Sequence, residues 1–183
     1  MSDDSPEQHP RVRDGYDRLW TPHRMAYIDG ENKPTDSSAG PGCPFCTSPE
    51  QDDEQALVVH RGQLCYVVLN LYPYNPGHLL ICPYRHVPDL PAMKAAERTE
   101  MIELTTTAMT TLRTVKGCDG FNTGMNAGAV AGAGVAAHVH QHVVPRWAGD
   151  ANFLPIIGQT KALPELLGRT RTELATRWGD GSR

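Results

Sequence analysis

The feature that most constrains this chain is the run His138-Val-His140-Gln-His142-Val-Val. In an extended strand, successive side chains point to opposite faces, so residues two apart share one. The spacing predicts a strand over Val139 to Val144 with the imidazoles of His138, His140 and His142 on one side. Burying three such rings is costly unless each has a hydrogen-bond partner or a ligand. Just before them runs Asn126-Ala-Gly-Ala-Val-Ala-Gly-Ala-Gly134. Glycines there let backbone N–H groups approach an anion and point at it. Two chemistries fit three same-face histidines: a metal site, or a histidine nucleophile supported by its neighbours. The glycine loop favours the second. An imidazole that attacks phosphorus needs donors for the charge on the non-bridging oxygens.

Composition removes several other classes. The 183 residues are 39% hydrophobic and 21% charged with a formal net charge of −4. That is enough apolar surface for one core, and it lacks the basic surplus of an electrostatic nucleic-acid binder. The apolar stretches 79–82 and 127–137 are too short, or too rich in Gly and Ala, to span a bilayer. Residues 1–17 hold no apolar segment of the signal-peptide kind. The expectation is a soluble, cytoplasmic protein with neither nucleic acid nor membrane as partner. The 5 cysteines, an odd number, argue against a disulfide framework. Cys65 and Cys82 lie in apolar runs and read as small buried hydrophobes. Cys43 and Cys46 form Cys-x-x-Cys, a pattern open between a zinc knuckle, a redox pair and coincidence.

Along the chain, residues 1–15 read as a disordered tail and 16–183 as a single domain with its core motifs in 57–147. Tyr16 to Ile28 carries enough apolar residues to dock on the core, and 29–42 reads as a loop. Leu57–His60 and Leu64–Leu71 read as a hairpin, Tyr72–Gly77 as a turn, and Leu79–Pro83 as the next strand. Apolar residues at spacings of three and four predict a long helix over Ala92–Lys116, ended by Gly117. Phe121–Met125 is a fourth strand, the histidine run a fifth, and Leu163–Trp178 a last helix. Strands joined by short turns around one inserted helix give an antiparallel α+β fold.

The histidine run resembles the signature of the histidine triad (HIT) family, with Gln141 at a usually apolar position. Val67-Val-Leu-Asn-Leu-Tyr-Pro-Tyr-Asn-Pro-Gly-His-Leu-Leu-Ile-Cys-Pro-Tyr-Arg-His86 is similar to its other signature, a strand ending in Asn, then Pro-Gly-His and a second strand. The segments around Trp20 and after Pro145 resemble the diadenosine tetraphosphate phosphorylase or nucleotide adenylyltransferase-like branch. The resemblance implies a five-stranded antiparallel meander with one long helix, a C-terminal helix, and a homodimer. It makes His140 the nucleophile of a covalent nucleotidyl-histidine intermediate, His142 a partner of the α-phosphate, and His78 a group behind the cluster. Asn70 would contact the ribose, and Asn126 with the backbone at Gly134 would hold phosphate. Relatives often carry a hydroxyl or amide side chain where Ala133 and Gly134 stand, so backbone donors act alone there. Trp147 is placed to stack on a base, and Arg146 and Lys161 belong to motifs shared with that branch.

The same resemblance gives the cysteine pair a role. Thr47 to Gln55 is polar and loop-like, unlike the context of a redox pair, and tetrahedral zinc needs two more ligands. Some HIT proteins and galactose-1-phosphate uridylyltransferases bind structural zinc through such a pair, a histidine after the Pro-Gly-His strand, and the first triad histidine. Here those residues are Cys43, Cys46, His86 and His138, holding one structural zinc per chain, with no organic cofactor. The function implied is transfer of an adenylyl group from a dinucleoside polyphosphate, foremost diadenosine tetraphosphate, to inorganic phosphate. Two other readings stand beside it. One is a hydrolase of dinucleoside polyphosphates or small adenylyl conjugates such as phosphoramidates. The other is a zinc-stabilised nucleotide-binding module without turnover.

Overall fold

Short runs of β-branched and aromatic residues set the strands of the computed structural model, which describes residues 42–150 and 166–181. The expected tail 1–15, the docking segment 16–28, nearly all of the following loop, and Lys161 lie outside the described residues. Strand β1 is Val58–Arg61, β2 is Cys65–Leu69, and β3 is Leu79–Pro83. Strand β4 is Gly120–Gly124 and β5 is Gln141–Arg146. Helix α1, Pro44–Thr47, is a single turn that follows Cys43 and contains Cys46; α2 is Ala95–Lys116 and α3 is Leu167–Thr176.

The expected α+β fold with a five-stranded antiparallel sheet is the one the chain adopts, in the order β1-β2-β3-β5-β4. The first three strands follow one another as a meander. After β3 the chain crosses through α2 to the edge, forms β4, and returns as β5 between β3 and β4. That return places the histidine run in the interior of the sheet, beside β3.

Every residue of β2 and β3 is buried, because both faces of the sheet are covered. On one face Val67, Leu79, Ile81 and Val143 pack under Met101, Leu104, Ala108 and Leu112 of α2, with Leu174 of α3 in the same cluster. On the other face Val58, Tyr66, Val68, Leu80 and Cys82 form a smaller cluster, with Phe45 of α1 packed against it. Leu80 is paired with His142. His142 therefore belongs to this second face, away from α2.

Several boundaries differ from the sequence expectation by one to four residues, and for two of them hydrogen bonds give the reason. Helix α2 starts at Ala95 rather than Ala92. Met93 N–H closes a turn on Leu90 O at 3.1 Å, and the Glu97 carboxylate caps Lys94 N–H at 2.7 Å, so the first helical turn forms after Lys94. Strand β5 starts at Gln141 rather than Val139. Val139 N–H bonds Val87 O at 2.7 Å, in the segment beyond β3, and not a ladder partner. His138 and His140 thus precede the regular strand.

Candidate active site

The histidines fall into two groups that meet at His140. The inner group is His78 and His142. His78 comes just before β3 and is fully buried; His142 lies across from Leu80. His78 Nε2 and His142 Nδ1 are 2.9 Å apart. On the far side of the His78 ring, Nδ1 accepts the backbone N–H of Tyr74 at 3.1 Å, with the Asn70 amide at 3.3 Å. A backbone N–H only donates, so Nδ1 of His78 carries the lone pair and Nε2 the proton. That proton goes to His142 Nδ1, which leaves His142 with its own proton on Nε2. His142 Nε2 is buried and has no hydrogen-bond partner among the described residues. A buried, unpartnered N–H beside a reactive group is a place for an anion to bind.

His140 has the opposite tautomer. Its Nδ1 lies 2.9 Å from His138 O, a carbonyl that only accepts, so Nδ1 donates and Nε2 holds the lone pair. The His140 and His142 rings are 4.9 Å apart at 66°. Burial lowers the pKa of His140 from its ordinary value, and burial together with the neighbouring His140 holds His142 down to about 4. Both rings are neutral near pH 7, as a nucleophile and a neutral donor require.

The outer group is Cys43, Cys46, His86 and His138, whose four ligand atoms all lie within 4.8 Å of one another. His138 Nε2 donates to Pro83 O at 2.9 Å, so its Nδ1 lone pair faces the sulfurs. Cys43 Sγ is 3.4 Å and Cys46 Sγ 3.6 Å from His138 Nδ1, and Cys46 Sγ is 3.3 Å from His86 Nδ1. The sulfur-to-nitrogen edge of a tetrahedral S₂N₂ metal site is about 3.5 Å, computed from ordinary zinc–ligand bond lengths. These residues fit a metal ion. The turn of α1 sets the two cysteines side by side, since Cys46 N and Thr47 N both bond Cys43 O.

The remaining candidates are placed less directly. Asn70 reaches the His78 ring, as above. Gly124 is paired with His142, so Asn126 and Gly134 belong to the loop between β4 and the histidines. Arg146 is engaged elsewhere: its guanidinium forks onto Asp150 at 2.6 and 2.7 Å and reaches Asn122 Oδ1 at 2.6 Å. Trp147 packs against the α2-side core with its indole N–H 3.4 Å from Lys116 O, on the face away from the histidines.

Two aromatic residues at the site carried no signal in sequence spacing. The Tyr74 ring is stacked 6.0 Å from His142 at 15°, and Phe45 sits 4.8 Å from His140. The one hint was position. Phe45 stands between the cysteines, and Tyr74 lies four residues before His78.

The HIT domain model matches residues 51–149. The chain is 49% identical over 168 residues to the AP-4-A phosphorylase of Mycobacterium tuberculosis strain H37Rv, covering 91% of this chain and 86% of that one. Among solved structures it is similar to a zinc-bound histidine triad family protein from Mycobacterium smegmatis. There the TM-score is 0.59 at 23% identity, over 73% of this chain and 91% of that one. It also resembles a hypothetical histidine triad nucleotide-binding protein from Sulfolobus tokodaii. The TM-score is 0.57 at 23% identity, over 75% of this chain and 97% of that one. This chain belongs to the HIT family. No helix among the described residues is long and apolar enough to cross a membrane.

Proposed function

We propose that the chain is an adenylyl-transferring enzyme that acts on dinucleoside polyphosphates, with diadenosine tetraphosphate as substrate and inorganic phosphate as acceptor. One observation carries the reading: the His140 ring, with its lone pair on Nε2, lies 4.9 Å from the His142 ring, whose Nε2–H is buried with no hydrogen-bond partner among the described residues. A relative 49% identical over most of the chain, itself named an AP-4-A phosphorylase, supports the substrate class.

In this reading His140 Nε2 attacks the α-phosphorus, forming a P–N bond while the P–O bond to the remaining nucleotide breaks and ATP leaves. The proton on His140 Nδ1 stays there throughout, donated to His138 O, so that carbonyl helps to stabilise the charge of the imidazolium. His142 Nε2–H donates to the oxygen on which negative charge develops. A phosphate oxygen then attacks the same phosphorus, the P–N bond breaks, its electron pair returns to Nε2, and ADP leaves. A neutral imidazole is a competent nucleophile near pH 7, and the phosphoramidate it forms stays labile. Asn70 contacts the ribose, and Asn126 with the backbone around Gly134 holds the phosphates.

Zinc is the metal we assign to Cys43, Cys46, His86 and His138. Two thiolates and two imidazoles in a tetrahedral arrangement suit it. Bound there, it supplies structure, tying α1 to the segment that carries His138, and takes no part in the transfer. A homodimer belongs to the same proposal, and β4, last in the sheet order, offers an edge for it. Action in the cytoplasm fits the five cysteines, all thiols.

The test is His140→Ala. It should lower turnover by about 10³-fold or more, and the wild-type enzyme quenched early should carry a covalent adenylyl group that the variant lacks. Turnover retained in the variant would overturn the nucleophile.

A further inference from the structure

Phe45 lies between the two sulfur ligands, and its ring meets His138 of the metal-ligating group and His140. It meets His138 edge-on, 5.6 Å away at 77°, and His140 at 4.8 Å and 45°. Its own position is fixed. Cys46 N and Thr47 N bond back to Cys43 O, and Phe45 O accepts the hydroxyl of Tyr66 at 2.7 Å. Tyr66 is fully buried in β2, and the Phe45 ring packs on the cluster that Tyr66 shares with Val68 and Leu80. The side chain is therefore tied to the metal ligands on one side and to the sheet on the other.

His140 is held differently. Its Nδ1 donates to the carbonyl of a residue two positions away in its own chain, and His140 stands ahead of the regular strand. One bond at Nδ1 fixes which nitrogen carries the proton. It restrains the tilt of the ring only weakly, because the imidazole can hinge about that bond. An aromatic ring held against the imidazole limits that freedom.

We propose that Phe45 is a positioning residue for His140: the metal-ligating turn presses its ring on the imidazole and aims Nε2 at the phosphorus. The metal cluster thereby acts on the chemistry without touching substrate. This rests on His140 being the nucleophile, as proposed above. Misplacing a reacting atom by about 1 Å costs about 100-fold in rate, so a ring that limits tilt is worth a measurable fraction of that.

The experiment compares metal-loaded wild type with Phe45→Ala, Phe45→Leu and Phe45→Tyr. It reads bound metal, kcat, KM, and the NMR resonances of the His140 ring protons, assigned by their loss in His140→Gln. Phe45→Ala should keep its metal and its KM, with kcat down about 10-fold to 100-fold. Phe45→Tyr, which keeps the ring, should recover kcat to within about threefold. The His140 resonances should lose the ring-current shift in Phe45→Ala and Phe45→Leu, and in wild type treated with a chelator, but not in Phe45→Tyr. Should Phe45→Ala fail to fold, Phe45→Leu carries the kinetic comparison. Unchanged kcat in metal-loaded Phe45→Leu, or His140 resonances indifferent to both the ring and the metal, would overturn the proposal. If wild type turns over no dinucleoside polyphosphate, the enzyme reading falls. The resonances then still decide whether Phe45 and the metal fix this imidazole.

Discussion

In the proposed mechanism His78 acts through His142, by deciding which nitrogen of His142 carries the proton. Its Nδ1 is committed by the Tyr74 backbone N–H and its Nε2 reaches His142 Nδ1 at 2.9 Å. Without that ring, His142 is free to place its proton on Nδ1 and point a lone pair at the phosphate. His78→Ala should therefore lower kcat about 10-fold to 100-fold, the worth of one hydrogen bond to a charged group. Steady-state kinetics with metal content checked would measure it, and a kcat equal to wild type would rule out the relay. At this scale much of the site was legible. Alternation put three imidazoles on one face, and the pairing of Leu80 with His142 places the last of them on the face away from α2. Residues whose role depends on packing direction were not legible. The guanidinium of Arg146 is taken up by Asp150 and Asn122, and Trp147 sits on the α2 face. A sequence motif names such residues without saying which way they point.

Among the elements, the turn between β2 and β3 positions His78, and Gly77 shapes it. Gly77 has φ +79°, a left-handed conformation, and an added Cβ would come 3.0 Å from Leu112 Cδ2. Gly77→Ala should cost about 1–2 kcal/mol in a denaturant titration. An unchanged midpoint would mean that the turn relaxes at no cost. A second element-level test is the start of α2. The Arg85 guanidinium forks onto the Glu97 carboxylate at 2.9 and 2.7 Å and, with the Lys94 N–H, holds its pKa down to about 2. Because the folded value lies below the ordinary 4.5, this contribution is complete above about pH 4.5 and is lost as pH falls toward 2. At pH 7 Glu97→Gln should be less stable than wild type by about 1–2 kcal/mol, the half-exposed Arg85 moderating the effect. The gap should narrow below about pH 4.5 and close only as pH falls to about 2, and a gap independent of pH would contradict the assignment. The helix itself was legible from Met101, Leu104, Ala108 and Leu112 at spacings of three and four. Its first turn was not, because Glu97 capping Lys94 competes with helix at Ala92–Met93.

For the molecule as a whole, the sheet order explains how two distant sequence motifs form one site. Strand β5 returns between β3 and β4, so His78 and His86, which flank β3, come to lie beside His142 and His138. The crossover through α2 was the part of the topology that a run of strand and turn signals could not give. Non-local pairing leaves no mark on local sequence. The metal cluster joins residues from three separate segments, so it should stabilise the fold as well as the site. Metal analysis should find one zinc per chain, and chelation should lower the melting temperature by several degrees. A fully active protein without metal would exclude this role. The most direct test of the function is product analysis of diadenosine tetraphosphate incubated with the enzyme and radiolabelled inorganic phosphate. Transfer through His140 to phosphate predicts equal ATP and ADP, with the label in the β-phosphate of ADP and no products when phosphate is omitted. AMP and ATP formed equally well without phosphate would show water as the acceptor and contradict the phosphorylase reading.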